Sequence, residues 1–334
     1  AGKLISLQKL VSPRFVVLSL GPKKSRTFVL MVRVFLFHRV SAEDDALWPP
    51  MTPQLFERCL RHMKQHYDIV QLESWLAAGQ PATKRTTAAV VFDDGFLDNL
   101  EVAAPILKRL QVPASFYVVT NCIDTQLPTW TYQLDYRFQH TEASSIELPL
   151  ESLPKTLQHA RFEDRPARLQ FAKKLKPYLK KLSNSIRSAI LTSVAEQLQD
   201  VLVPRLMMNW NQVRELQSLD FHIGSHSVSH PLLATIEGDE ELNRELLASK
   251  QKLEEELQTE VPTISYPIGS CDSRVIAASK LAGYRYGLAV EQRFYTPATD
   301  DIMAIPRVEL YQEPWLKTRM RMNGSLEKIK SIVR

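Results

Sequence analysis

Cysteine is scarce in these 334 residues: Cys59, Cys122 and Cys271 are the three, far apart and without C-x-x-C spacing. The odd count argues against a disulfide framework, and the spacing leaves them as isolated packing residues. Long apolar runs are missing as well. Residues 15–20 and 28–37 are apolar, but Gly21-Pro22-Lys23-Lys24-Ser25-Arg26 separates them and Arg33 interrupts the second. Neither reaches the roughly 18–20 residues that a membrane-spanning helix needs. No basic n-region, apolar core and small-residue cleavage site follow one another in signal-peptide order. C2H2, RNP and P-loop patterns are absent and the net charge of +5 is mild, so no nucleic-acid partner is expected. Internal repeats and low-complexity tracts are absent too.

What is present is ordinary for a soluble globular protein, with 44% hydrophobic and 24% charged residues. The basic break at 21–26 reads as a solvated loop, with a peripheral contact to anionic lipid as the alternative. With no targeting segment visible, a cytoplasmic or inner-membrane-associated location is favoured over a periplasmic one. The sequence leaves the oligomeric state open.

Strand-like and helix-like segments alternate from residue 32. Strands are expected at 34–37, 87–92, 114–119, 221–224, 263–266, 286–290 and 305–310. Helices are expected at 53–67, capped by Thr52 with Pro53 in the first turn, and at 97–110, with Asp98 and Glu101 in the first turn. Others are expected at 210–219, 237–258 and 273–282, the last closed by Gly283. Between 125 and 205 there is no strand rhythm, only a helical stretch at 166–199. The pattern predicts an α/β fold, a distorted (β/α)7 barrel with a helical insertion between its third and fourth strands. The expected divisions are an N-terminal extension (1–30), the first part of the barrel (31–124), the insertion (125–205), the second part of the barrel (206–320) and a C-terminal tail (321–334). Lys173, Lys174, Lys176, Lys180 and Lys181 in the insertion have no acidic residue among them. They read as a solvated helix face, with contact to an anionic glycan or membrane as the sharper alternative.

The tract Ala88-Ala89-Val90-Val91-Phe92-Asp93-Asp94-Gly95 carries the chemistry. An apolar strand runs into two adjacent carboxylates, which parallel α/β folds place at the C-terminal edge of the sheet. Neighbouring carboxylates repel each other and are costly to desolvate, so they call for a cation. Ile223-Gly224-Ser225-His226-Ser227-Val228-Ser229-His230-Pro231 offers its other ligands. Two histidines four apart lie on one face of a helical turn and can converge on one ion. Taken alone such a pair is more often structural. Beside a carboxylate pair it makes a facial triad, one acid on the metal and the other free as a base. The spacing does not say which acid takes which role.

Here the chain resembles the polysaccharide deacetylases, the NodB-homology or carbohydrate esterase family 4 group. Phe92-Asp93-Asp94-Gly95 and His226-Ser227-Val228-Ser229-His230 look like the family's first two motifs. Phe37-His38-Arg39-Val40 and Ser265-Tyr266-Pro267-Ile268-Gly269 are similar to motifs of the branch containing poly-N-acetylglucosamine deacetylases. The resemblance covers roughly residues 34–122 and 205–312. It implies Asp93 as general base and Asp94, His226 and His230 as ligands of a divalent metal, Zn2+ first, with Co2+ or Ni2+ as alternatives. It further implies attack of activated water on the acetamide of an N-acetyl sugar, the oxyanion being held near Ile268 in the stretch that holds Tyr266 and Pro267. The implied partner is an N-acetylated glycan, oligosaccharide or linked precursor. A catalytically weak glycan-binding protein and an O-acetyl esterase on the same scaffold are the alternatives.

Two departures stand out. Family members often carry an arginine in the third motif that pairs with the base, where this chain has Ser265; Arg307, at the end of a late strand, is the candidate replacement. No histidine follows His230, so the family's C-terminal histidine acid is missing. His38, ending the first strand, is the candidate donor, or else it only orients Asp93 or Asp94. Trp130, Tyr132 and Trp210 read as core residues that could stack on sugars. His222 reads as packed, and His62 and His66 as a solvated or packed helix face.

Overall fold

The apolar tracts become strands whose two faces are both covered, as a parallel sheet flanked by helices requires. The computed structural model describes residues 31–326. The expected N-terminal extension, with its basic break and lipid contact, lies outside the described residues, as does most of the expected C-terminal tail. The strands are β1 (Arg33–Phe37), β2 (Tyr67–Ile69), β3 (Thr86–Phe92), β4 (Ser115–Val118), β5 (Ser145–Glu147), β6 (His159–Arg161), β7 (His222–Ser225), β8 (Thr263–Ser265), β9 (Tyr286–Leu288) and β10 (Val308–Glu309). The main sheet is parallel throughout, in the order β10-β1-β3-β4-β7-β8-β9, with β2 joined to the first half of β3. A parallel bridge between Leu288 and Ile305 joins the two ends of that path. The segment 305–309 thus spans from β9 to β1 and curls the sheet into the expected distorted (β/α)7 barrel.

The helices are α1 (Pro53–His66), α2 (Leu72–Ala77), α3 (Ala104–Leu110), α4 (Thr120–Thr125), α5 (Trp130–His140), α6 (Lys155–Gln158), α7 (Arg165–Leu179), α8 (Asn184–Gln197), α9 (Trp210–Ser218), α10 (Asp239–Leu257), α11 (Ser273–Leu281) and α12 (Trp315–Met322). Starts follow local chemistry: Thr52 caps α1 ahead of Pro53, Asn209 and Gln212 form a capping box on α9, and Asp272 caps α11. Gly283, at φ +90°, ends α11. Strand alternation sorts the core. Phe35, Phe37, Val90 and Phe92 pack outward with Phe56, Leu60 and Leu107, whereas Val34, Leu36, Ala89 and Val91 pack with Tyr117, Leu288 and Trp75 of α2. No helix among the described residues is long and apolar enough to cross a membrane.

Several expectations are corrected. The helix expected at 97–110 begins as a π-type turn over Asn99–Ala103. Pro105 has no N–H to give the Glu101 carbonyl, so the regular ladder fails there. Asp98, expected in the first turn, stands just before it with its carboxylate turned away, accepting from Arg39 Nε at 2.9 Å and the Val40 N–H at 3.2 Å. The single helix expected at 166–199 is two, α7 and α8, parted where Ser183 caps the second. Residues 125–205 also contain α5, α6 and an antiparallel β5–β6 hairpin, whose strands of three residues are too short to show a rhythm. This segment has its own core, built on Phe138, Phe171, Leu175, Ile190 and Val194.

Candidate active site

Strand β3 ends at Phe92, and the chain leaves it through two left-handed residues, Asp94 at φ +77° and Gly95 at φ +92°. That turn gives the two carboxylates different partners, although Asp93 Oδ2 still lies 3.8 Å from His226 Nε2. Asp93 Oδ1 accepts from Arg307 Nη1 at 2.8 Å and from Ser265 Oγ at 3.0 Å. Arg307 is fully buried and is steadied by a bond from its Nε to the Ala289 carbonyl at 3.0 Å. Burial opposes ionisation of Asp93, but the Arg307 guanidinium and then His226 outweigh it and hold the carboxyl below its ordinary range.

Asp94 faces the histidines. Its Oδ1 lies 3.5 Å from His226 Nε2 and 3.4 Å from His230 Nε2, and all three residues are buried. His226 Nδ1 sits 2.7 Å from the Ser265 carbonyl, which fixes the ring with Nε2 facing inward. Burial pushes the His230 imidazole down to about 3. Burial also disfavours charge on His226, but Asp93 and Asp94 outweigh it and raise that imidazole. Asp94 Oδ1 is a buried oxygen with no hydrogen-bond donor, and the three ligand atoms lie within 4.8 Å of one another. An unsatisfied buried carboxylate oxygen facing two imidazole nitrogens is what a divalent cation would satisfy, so the donor set fits a metal.

The histidine loop is not the helical turn expected from the i, i+4 spacing. β7 ends at Ser225, and residues 226–230 form a loop in which Ser227 and His230 take φ +65° and +60°. Glu245 of α10 holds it there. Its carboxylate accepts from the Val228 and Ser229 N–H groups at 3.0 and 2.9 Å and from Ser229 Oγ at 2.6 Å. Ser227 Oγ accepts from the His230 N–H, and Trp130 Nε1 donates to the His230 carbonyl. Three backbone or hydroxyl donors converging on one side chain override the local helical spacing. Glu245 went unnoticed in the sequence, because an acid on a long charged helix carries no distinguishing signal.

A cavity of about 180 Å³ opens over these groups. Asp93, Asp94, His226, His230, His38, Ile268, Val290, Glu309 and Trp48 line it from the barrel side. His38 Nδ1 lies 3.5 Å from Glu309 Oε1, and its ring meets Trp48 edge-on. Ile268 takes φ +58°, a costly conformation for a β-branched residue that persists only where the surroundings enforce it. Tyr266 and Pro267, expected in the oxyanion and substrate set, do not line the cavity. Tyr266 is fully buried with its hydroxyl donated to the Met303 carbonyl, because it lies one residue past β8 and points into the core. Tyr132 does line the cavity, Trp130 supports the histidine loop, and Trp210 bonds Asp124 elsewhere. The basic run is also corrected: Lys176 and Lys180 face the cavity rather than open solvent, Lys176 in an ion pair with Asp135. His222 lies 3.6 Å from Glu73, and His62 stacks on His66 beside Trp315.

A curled parallel barrel with paired acids at a strand end and a buried Asp-His-His cluster defines a hydrolase of the deacetylase class. The chain belongs to the polysaccharide deacetylase family, which residues 80–287 match. Solved structures share the fold. The Streptococcus pyogenes deacetylase PplD, in complex with acetate, is 14% identical, with 87% of this chain and 97% of that one covered at a TM-score of 0.57. IcaB from Ammonifex degensii is 15% identical, covering 87% and 97% at 0.56. A de-N-acetylase from Aggregatibacter actinomycetemcomitans is 16% identical, covering 87% and 99% at 0.55. No curated protein sequence gives a significant match.

Proposed function

We propose that this deacetylase removes the N-acetyl group of an N-acetylhexosamine unit in a glycan or glycan precursor, with Asp93 as general base and Asp94, His226 and His230 holding a divalent metal. The observation that carries the reading is the division of the two acids. Asp93 is clamped by Arg307 and Ser265, while Asp94 offers an unpaired oxygen between two imidazoles. When bound, the metal would supply Lewis acidity toward the acetyl carbonyl and lower the pKa of a water. The two-nitrogen, one-oxygen set suits zinc, with cobalt or nickel as alternatives.

The chain's own residues do the rest. Asp93, kept ionised by Arg307, takes the proton of the attacking water at Oδ2, the oxygen that neither Arg307 nor Ser265 engages. Ile268, held in its strained conformation beside the cavity, presents backbone where the oxyanion would develop. The leaving amine needs a proton, and His38 stands at the cavity with Glu309 beside its Nδ1. The same proton could come back from Asp93. Metal-loaded protein should release acetate from an N-acetylglucosamine oligomer, and Asp93→Asn should lower kcat at least a thousandfold while still binding one equivalent of metal. His38→Gln should lower kcat without raising KM if it is the donor. Acetate release that survives both Asp93→Asn and chelation would sink the mechanism.

A further inference from the structure

The segment from 125 to 205 closes one side of the cavity: Thr131, Tyr132 and Asp135 come from α5, Lys176 from the last turn of α7 and Lys180 from the residue just past it. At about 180 Å³ the cavity is smaller than the roughly 300–1,000 Å³ usual for small-molecule pockets, which suits one sugar ring better than several. Its two lysines differ. Lys176 is neutralised by Asp135. Lys180 is half-buried, and among the described residues no hydrogen bond or ion pair within 4 Å engages its Nζ. Burial, and next the adjacent Lys176, pull its pKa down, the mark of an under-compensated cation. Glu309 and Asp135 attract it from a distance without offsetting burial and Lys176, and each has a closer partner, Asp135 in Lys176, and Glu309 in His38 and the Tyr311 hydroxyl. Asp93 is likewise matched by Arg307.

We infer that Lys180 recognises an anionic group on the substrate, so that the N-acetylhexosamine enters as a single sugar joined to phosphate rather than as an interior unit of a neutral polymer. A phosphoryl oxygen beside Nζ would give the ammonium the partner it lacks, and its charge-assisted bond would be strong in a half-buried setting. Both nucleoside-diphosphate sugars and lipid-diphosphate sugars present this chemistry. The inference rests on the deacetylase reading for its sugar and on Lys180 for its anion.

The test compares N-acetylglucosamine 1-phosphate, free N-acetylglucosamine and a neutral N-acetylglucosamine tetramer on the metal-loaded full chain. The phosphate ester should exceed both neutral sugars in kcat/KM for acetate release by at least tenfold. Lys180→Met should shrink that preference at least tenfold, chiefly through KM, and Lys180→Arg should restore most of it. Lys176 is not the residue to replace, since its loss would strand Asp135 and blur folding with binding. Uridine-diphosphate and polyprenyl-diphosphate forms of the sugar then tell the two sources apart. A preference for the tetramer, or a Lys180→Met effect equal on every substrate, overturns the inference while leaving the deacetylase reading intact. Calorimetry of N-acetylglucosamine 1-phosphate separates the converse case. Lys180-dependent binding without acetate release from any of these sugars upholds the anion site and removes the N-acetyl reading, and binding that ignores Lys180 overturns the anion site.

Discussion

Asp93 and Arg307 are 214 positions apart and meet in a fully buried pair. A buried carboxylate stripped of its partner typically costs about 3–5 kcal/mol, so Arg307→Met should lower the unfolding free energy by about that much near pH 7. Because the folded pKa of Asp93 is depressed, its contribution to stability is present above the unfolded value of about 3.9 and is lost as pH falls toward the folded value. The stability gap between wild type and variant, read from urea melts, should therefore narrow below about pH 4. Removing the guanidinium also raises the pKa of the base, so the acid limb of kcat/KM should move to higher pH. A gap that stays constant through pH 3, with an unmoved acid limb, would remove Arg307 from this role. The sequence offers Arg307 as a partner because Ser265 stands where the family often has arginine. It gives no hint that Ser265 serves twice, its hydroxyl on Asp93 and its carbonyl on His226, since both depend on where β8 ends.

At the scale of elements, the histidine loop hangs from α10 through one side chain. Glu245→Ala removes the acceptor for two backbone N–H groups and one hydroxyl, leaving residues 226–230 free to relax from their left-handed turns. Outer partners of metal ligands commonly cost 10–100-fold in affinity when lost, and a drop of roughly that size in Zn2+ affinity is expected, measured by competition with a chromophoric chelator. Affinity within twofold of wild type would mean that the loop holds its shape without α10. The same loop shows why element reading succeeds in part. Barrel strands and capped helices were legible because apolar runs and capping residues are local signals. The shape of residues 226–230 was not, because long-range bonds to Glu245 and Trp130 decide it. Spacing alone also missed β2, only three residues long, and the inward aim of Lys176 and Lys180, which depends on how α7 lies across the barrel mouth.

At the scale of the whole molecule, the barrel core and the core of the 125–205 segment are separate clusters, and polar and aromatic side chains from both parts line the cavity between them. A direct link between segment and ligand loop is the bond from Trp130 at the start of α5 to the His230 carbonyl. Without a cation, Asp94 keeps a buried oxygen unsatisfied, so metal should stabilise the folded state well beyond the three ligands. An ion at a hundred times its Kd contributes about 2.7 kcal/mol, which for a protein of this size corresponds to roughly 4 °C in Tm. Chelation should lower the Tm of wild type by that amount and leave Asp94→Ala, already without its carboxylate ligand, almost unchanged. If the bond to Trp130 transmits the order, amide exchange on chelation should quicken in α5 as well as in residues 226–230. Trp130→Phe, which removes the indole N–H and keeps the ring, should confine the quickening to the loop. Exchange in α5 that ignores the metal in wild type would mean that the two cores share a cavity but not their stability, and the anion-recognising wall would then be set by the segment alone.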